Sequence, residues 1–164
     1  MTGKPLTHVD ASGRARMVDI SDKAVTRRSA TARGRVDCSA EAVRRIAGDA
    51  IAKGSVLDTA RLAGIMGAKR TSDLIPLCHP LALRHVDVDL QLDTSATPGV
   101  VIEATARVEG ATGVEMEALT AVTVAALTVI DMIKAVDHWA SITGVTLVHK
   151  EGGRSGSLDR PETP

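Results

Sequence analysis

A chain of 164 residues, 44% apolar and 24% charged, is the size of one domain and can bury one core without cross-links. Lysine plus arginine balances aspartate plus glutamate at 20 each, so no overall field recruits nucleic acid or an anionic membrane, and a phosphate site has to be a local cluster. Phe and Tyr are absent and Trp139 stands alone, which removes the aromatic platforms of an RNA-binding sheet and leaves the core to Ala, Val, Leu, Ile and Met.

Such small side chains bury little area each, which favours association with further copies of the chain. Cys38 and Cys78 make no disulfide framework, and the N-terminus carries no apolar signal core; both point to a cytoplasmic protein. Residues 1–12 and the Gly-, Ser- and Pro-bearing stretch 153–164 are expected to be flexible ends around one domain, 13–152.

In chain order, Ala24 to Asp37 predicts an extended segment. Val43, Ile46, Ala47, Ala50 and Ile51 then lie at helical spacing, predicting a helix from Ala40 to Lys53 with Ser39 as N-cap and Gly54 as its stop. A second helix, capped by Ser55 with Asp58 three residues on, runs through Leu62, Ile65 and Met66 to about Arg70. Gly64 and Gly67 inside it cost about 1 kcal/mol each, which predicts a close backbone contact there. After a proline-bearing bend from Ile75 to Pro80, Val86, Val88, Leu90 and Leu92 alternate with polar residues, as do Val100, Ile102, Ala104, Ala106 and Val108. That is a hairpin with one buried face. The longest helix follows, Glu115 to Val136, and a last strand, Ser141 to Lys150. Its apolar run, Leu119 to Ile133, is interrupted by Thr120, Thr123, Thr128 and Asp131, and is not read as a membrane span. The order predicts an α+β, ferredoxin-like sandwich: an antiparallel sheet with helices packed on one face.

Charged or polar residues interrupt this pattern in six places. Lys53 and Lys69-Arg70 close the two early helices, where a lysine offsetting the helix dipole is the plain explanation. In "SDLIPLCHPL", Pro76 and Pro80 bracket a thiol and an imidazole; the bend either buries a structural histidine or aims His79 at a ligand. Further ligands at zinc spacing are missing. "GVEMEALTA" opens the long helix with Glu115 and Glu117, as the helix dipole favours, and "VIDMIKAV" sets Asp131 and Lys134 among Val129, Ile130, Met132 and Ile133. Stability gives little reason for ions in that last place, so a functional role is favoured there. Glu117, Ala121, Val124, Thr128, Asp131 and Lys134 share one helix face, but Glu117 and Asp131 are about 21 Å apart along a straight helix. They cannot touch one reacting atom: either they grip opposite ends of a long ligand or different subunits assemble the site. Last, "HKEGGRSG" sets Gly152 and Gly153 beside Lys150 and Arg154, either a plain tail or a turn able to wrap an anion.

The segments "LTHVDASGRARMVDIS", "ARLAGIMGAKRTSDLIPLCHPL", "GVEMEALTAVTVAALTVIDMIKAVD" and "GGRSG" resemble the molybdenum cofactor biosynthesis protein C family, the cyclic pyranopterin monophosphate synthases, from about Leu6 to Gly156. The resemblance implies a ferredoxin-like sandwich, a hexamer built as a trimer of dimers, and sites at dimer interfaces. It implies conversion of 3′,8-cyclo-7,8-dihydroguanosine 5′-triphosphate to cyclic pyranopterin monophosphate and pyrophosphate. Matched by motif, Asp131, Lys134 and Lys53 take the catalytic positions, and Leu77, Cys78, His79, Glu115, Met116 and Glu117 the substrate-binding ones. Arg28, Lys69 and Lys150 fall where basic residues serve the triphosphate. Ser72 stands where an aromatic is expected, and Arg154 replaces a lysine.

On this reading Lys53 and Lys134, with pKa values lowered by burial or by each other, move protons, and Asp131 orients Lys134 or acts as base. His79 hydrogen-bonds the ligand and Glu117 binds the guanine-derived ring. No cofactor or metal ligand set is required, although magnesium can accompany the triphosphate. A non-catalytic nucleotide-binding module and an inactive paralogue are the alternatives.

Overall fold

The computed structural model describes residues 12–161. The flexible N-terminus expected over 1–12 lies, apart from Ser12, outside the described residues, as do 162–164.

The first strand, β1, spans Thr26–Asp37. Ser39 then caps α1, Ala40–Ala47, its side chain accepting from the Ala42 N–H as expected. The helix ends six residues before the expected Lys53: Gly48 takes the C-cap and Asp49 adopts φ 50°, a left-handed conformation that breaks the spiral. Ala50 and Ile51 continue the apolar rhythm without continuing the helix. Ile51, only 7% exposed, is buried from a turn instead.

Ser55 caps α2, Val56–Lys69, where its side chain accepts from the Asp58 N–H. A four-residue helix, α3, Thr71–Leu74, follows in a stretch that carried no prediction. The hairpin appears as β2, His85–Asp93, and β3, Gly99–Gly110, and the long helix as α4, Glu115–Ile133. The last long strand, β4, is Ser141–Glu151. The segment read as a tail adds a turn of 3-10 helix, Gly153–Ser155, and a two-residue strand, β5, Leu158–Asp159, paired with β4.

All pairings are antiparallel and the sheet order is β2-β3-β1-β4-β5. The first four positions are those of a split β-α-β sandwich, extended at one edge by β5. The protein is thus an α+β sandwich with its helices on one face of an antiparallel sheet. On that face Ala30, Ala32 and Val36 of β1 and Val100, Ile102, Ala104 and Ala106 of β3 meet Ala118, Ala121, Val122, Ala125, Ala126 and Val129 of α4, all essentially without exposure. The opposite face is polar, with Arg33 bonded to Glu103 at 2.6 Å and Thr31 to Thr105 at 2.8 Å.

The glycines inside α2 are explained by α4. A Cβ on Gly64 would stand 2.9 Å from the Ala121 carbonyl oxygen, and one on Gly67 2.8 Å from Cγ2 of Val124. The two helices approach too closely for side chains at those positions, as the sequence predicted. Among the described residues α4 alone is long and apolar enough to cross a membrane by length and composition, and 56% of that stretch is buried inside the molecule. Packing between the sheet and α2 accounts for its apolarity.

Candidate active site

The chemistry-bearing residues fall at the two ends of α4. At its N-terminus the proline-bracketed bend, closed by a Cys78 N–H to Ile75 carbonyl bond of 3.0 Å, presents Leu77, Cys78 and His79 to Glu115, Met116 and Glu117 of the first helical turn. These six predicted residues line one cleft of about 250 Å3, with Lys23, Thr112 and Gly113. Its two acids are driven apart. Glu117 is 4% exposed, and burial pushes its carboxyl up, with a smaller push from the Glu115 charge. Burial also pushes Glu115 up, but Lys150, 2.7 Å away, outweighs it and holds that carboxyl below its ordinary value. One acid is therefore kept ionised and its neighbour biased toward the neutral form, a pairing suited to hydrogen-bonding a ligand with both donors and acceptors. Burial, and then the Glu117 charge, also raises the Cys78 thiol, which makes it a weakly ionising wall of the cleft.

Lys23, Thr112 and Gly113 also line a second, more open cleft of about 590 Å3, whose other cations are Arg28 and Arg154. Arg28 is steadied by donation from Nε to the Gly110 carbonyl at 2.9 Å. Two of the expected triphosphate residues stand differently. Lys150 is engaged by Glu115, and Lys69, at the end of α2, lines a separate cleft with Leu81 to Val86. Within one protomer Lys69 is therefore not brought to Arg28. Lys23, which faces both clefts, went unpredicted; it lies in an irregular stretch, "DISDKAV", with no motif spacing to mark it.

At the C-terminal end of α4, Asp131 binds both predicted lysines. Lys134 Nζ lies 2.8 Å from Oδ1, and Lys53 Nζ 2.8 Å from Oδ2 and 2.6 Å from the Asp131 carbonyl oxygen. Lys53 thus does serve a helix C-terminus, but that of α4 and not of α1: it neutralises an acid set at the negative end of the dipole. The start of α1 is tied to the end of α4, where the Ser39 N–H donates to Asp137 Oδ2 at 2.6 Å, and Ile46 and Ile51, on either side of the turn after α1, share one core with Met132 and Ile133. The hydrogen bonds from Lys134 and then Lys53 hold the Asp131 carboxyl down at about 2. A carboxylate so stabilised is a poor proton acceptor, so the geometry favours orientation of the lysines over service as a base. The side chains of Lys53, Asp131 and Lys134 are 45%, 59% and 60% exposed, so one protomer does not supply the burial expected around the lysines.

Two clusters, a cleft and an open ionic triad, thus stand at opposite ends of one helix. Among the described residues no three His, Cys, Asp or Glu side chains converge as a metal site.

The MoaC family model matches residues 17–153, spanning both clusters. The chain belongs to the MoaC family. Among MoaC-family relatives, a protein of Cereibacter sphaeroides (strain KD131 / KCTC 12085) named cyclic pyranopterin monophosphate synthase is 59% identical over 94% of this chain and 96% of its own. Proteins of the same name from Parvibaculum lavamentivorans and Roseiflexus sp. (strain RS-1) are 58% and 61% identical, over 95% and 93% of this chain and 97% and 96% of theirs.

Proposed function

We propose that the chain is a cyclic pyranopterin monophosphate synthase of molybdenum cofactor biosynthesis, a phosphorus–oxygen lyase. It converts 3′,8-cyclo-7,8-dihydroguanosine 5′-triphosphate to cyclic pyranopterin monophosphate and pyrophosphate. The observation that carries this is the full-length likeness to relatives of that name, joined to a Lys53–Asp131–Lys134 cluster assembled from segments 78 residues apart in sequence. The same likeness disfavours a nucleotide-sensing module or an inactive paralogue.

Rearranging a purine-derived ring into a pterin needs protons moved to and from ring nitrogens and sugar oxygens. Closing the cyclic phosphate needs negative charge stabilised while pyrophosphate departs. Lys53 and Lys134 move the protons, held in place by Asp131, and the ammonium charges also stabilise developing oxyanions. Glu117 and His79 hold the guanine-derived end, while Arg28, supported by Lys23, clamps phosphate oxygens. Lys150 acts through Glu115, and Lys69 reaches the phosphates only from a neighbouring protomer.

The active unit is an oligomer, a hexamer arranged as a trimer of dimers, with each site shared across a dimer interface. Supporting this, the cleft and the triad are separated along α4 by about 21 Å, and the triad is open to solvent. On this reading no resident cofactor is required, and magnesium can accompany the triphosphate. A cytoplasmic location belongs to the same reading, supported by two free cysteines.

The test supplies the cyclic dihydro-GTP substrate to the wild type and to Lys53→Ala and Lys134→Ala variants. Pyrophosphate release is expected to fall about 100- to 10,000-fold in each variant, the range for loss of a general acid or base. Wild-type turnover in both variants would remove the lysines from the chemistry, and a wild type that releases no pyrophosphate would remove the function.

A further inference from the structure

Apart from the Nε bond to the Gly110 carbonyl, Arg28 makes no hydrogen bond or ion pair among the described residues, leaving its two terminal nitrogens for a ligand. The cleft it faces is shared with Gly153 and Arg154 from the turn after β4. That turn begins with two consecutive glycines at positive φ, +98° at Gly152 and +70° at Gly153, and closes with a Gly152 N–H to Gly156 carbonyl bond of 3.1 Å. Glycine costs chain entropy on folding, so two in succession at the rim of a cleft call for a reason beyond turning the chain.

Arg28 supplies it. A Cβ on Gly152 would overlap the carbonyl oxygen of Arg27 and stand 3.2 Å from Cα of Arg28. A Cβ on Gly153 would overlap Nη1 of Arg28 and lie 2.9 Å from its Cζ. The two obstacles differ in kind. At Gly152 the obstacle is backbone, held by the strand. At Gly153 it is the guanidinium itself, the far end of a flexible side chain, which makes room by shifting from its place in the cleft. Bare backbone thus closes one side of the guanidinium while the Gly110 carbonyl holds its Nε.

We propose that Gly153 is a positioning residue: its missing side chain lets the turn 152–156 press against the Arg28 guanidinium and hold it aimed at the phosphates of the ligand. The proposal rests on the reading of this cleft as the triphosphate site. Ligand affinity then depends on how the turn is seated as well as on the charge of Arg28.

The experiment compares the full-length wild type, Gly153→Ala, Gly153→Asn, Arg28→Ala and the double variant Arg28→Ala/Gly153→Ala, by steady-state pyrophosphate release and thermal unfolding. Asn tolerates a left-handed φ yet carries the same Cβ, so a fault shared by Ala and Asn comes from the collision and not from backbone strain. Each Gly153 variant is expected to raise KM about tenfold, the size of one charge-assisted contact, with kcat changed less than about twofold. Arg28→Ala should raise KM at least as much, and Gly153→Ala should add nothing once Arg28 is truncated. Additive effects in the double variant, or a rise with Ala that Asn abolishes, overturn the proposal. So does loss of folding in both glycine variants, which would make the turn purely structural. If Arg28→Ala leaves KM unchanged, the phosphate assignment and this proposal fall together while turnover still supports the proposed function. If the wild type shows no turnover, that function falls. Calorimetric binding of inorganic pyrophosphate to the same five proteins then tests the positioning alone, with the same pattern expected in Kd.

Discussion

At the start of α4, Glu117 is 4% exposed inside a cleft walled by the Leu77–His79 bend; at its end, the Asp131 side chain is 59% exposed with a lysine on each oxygen. The first end has desolvation but, among the described residues, no cluster of lysines on one carboxylate: Lys150 is engaged by Glu115, and Lys23 is shared with the open cleft of Arg28 and Arg154. The second has the cluster without desolvation. Catalysis by tuned lysines needs both, because ionic groups act strongly only where water is excluded. The helix that separates the half-sites also fixes them rigidly, packed on the sheet and against α2 through Gly64 and Gly67. Rigidity of this kind suits the proposed oligomer, in which a second chain completes the site and each chain brings one wall to each of two sites.

The strongest way to break that comparison is a mixing experiment. Lys134→Ala spoils the open end and His79→Ala spoils the cleft, and each alone should be nearly inactive. Co-expressed in equal amounts, they should recover about a quarter of wild-type turnover, since half the dimers are mixed and each mixed dimer holds one intact site. No recovery in demonstrably mixed oligomers would place both half-sites of each working centre in a single chain.

The unequal legibility of the two ends follows from the same physics. Ser39, Ser55 and the alternation of β2 and β3 were readable because capping and burial are local, and the glycines of α2 because their cost demanded a contact. The ionic residues of "VIDMIKAV" stood out as charges in an apolar run. What joined them to Lys53 was not local: α1 stops at Ala47, and the turn that carries Lys53 to the end of α4 is set by the Ser39–Asp137 bond and by Ile46 and Ile51 sharing one core with Met132 and Ile133. Periodicity carried the helix on to Lys53 because Ile51 is buried in either conformation. Lys23 gave no signal, and β5, two residues long, owes its existence to pairing with β4. Lys69 was grouped with Arg28 by motif, whereas the direction of α2 sends it to another cleft.

A smaller effect sharpens the contrast at the buried end. Burial raises the Glu117 carboxyl above its ordinary 4.5. A folded-state pKa above the unfolded one stabilises fully below about 4.5, and that stability is lost as pH rises through the folded value. At pH 7 the buried charge is therefore a burden on the fold. Glu117→Gln should gain about 0.5–2 kcal/mol of stability at pH 7 by urea titration, with no gain at pH 4, while KM for the substrate rises. An unchanged or lower stability at pH 7 would mean that the carboxylate has partners that offset its burial.

The smallest effect belongs to the exposed end, and its sign is opposite. Lys134 and then Lys53 lower the Asp131 carboxyl from 3.8 to about 2. A depressed acid contributes stability that is fully present above about 3.8 and is lost as pH falls through about 2, so nothing should change here between pH 5 and 8. A carboxyl NMR titration should place the Asp131 midpoint at about 2 and move it toward 3.8 in Lys134→Ala, with a lesser move in Lys53→Ala. A wild-type midpoint near 3.8 would mean that the triad does not hold together in solution. Repeating the titration under conditions that dissociate the proposed oligomer isolates the contribution of a neighbouring chain. Covering the triad removes water from the carboxylate and from both ammoniums, so a lower midpoint in the oligomer means that their mutual attraction strengthens more than their desolvation costs. A higher one means that the interface penalises the charges, the condition under which a lysine gives up its proton readily.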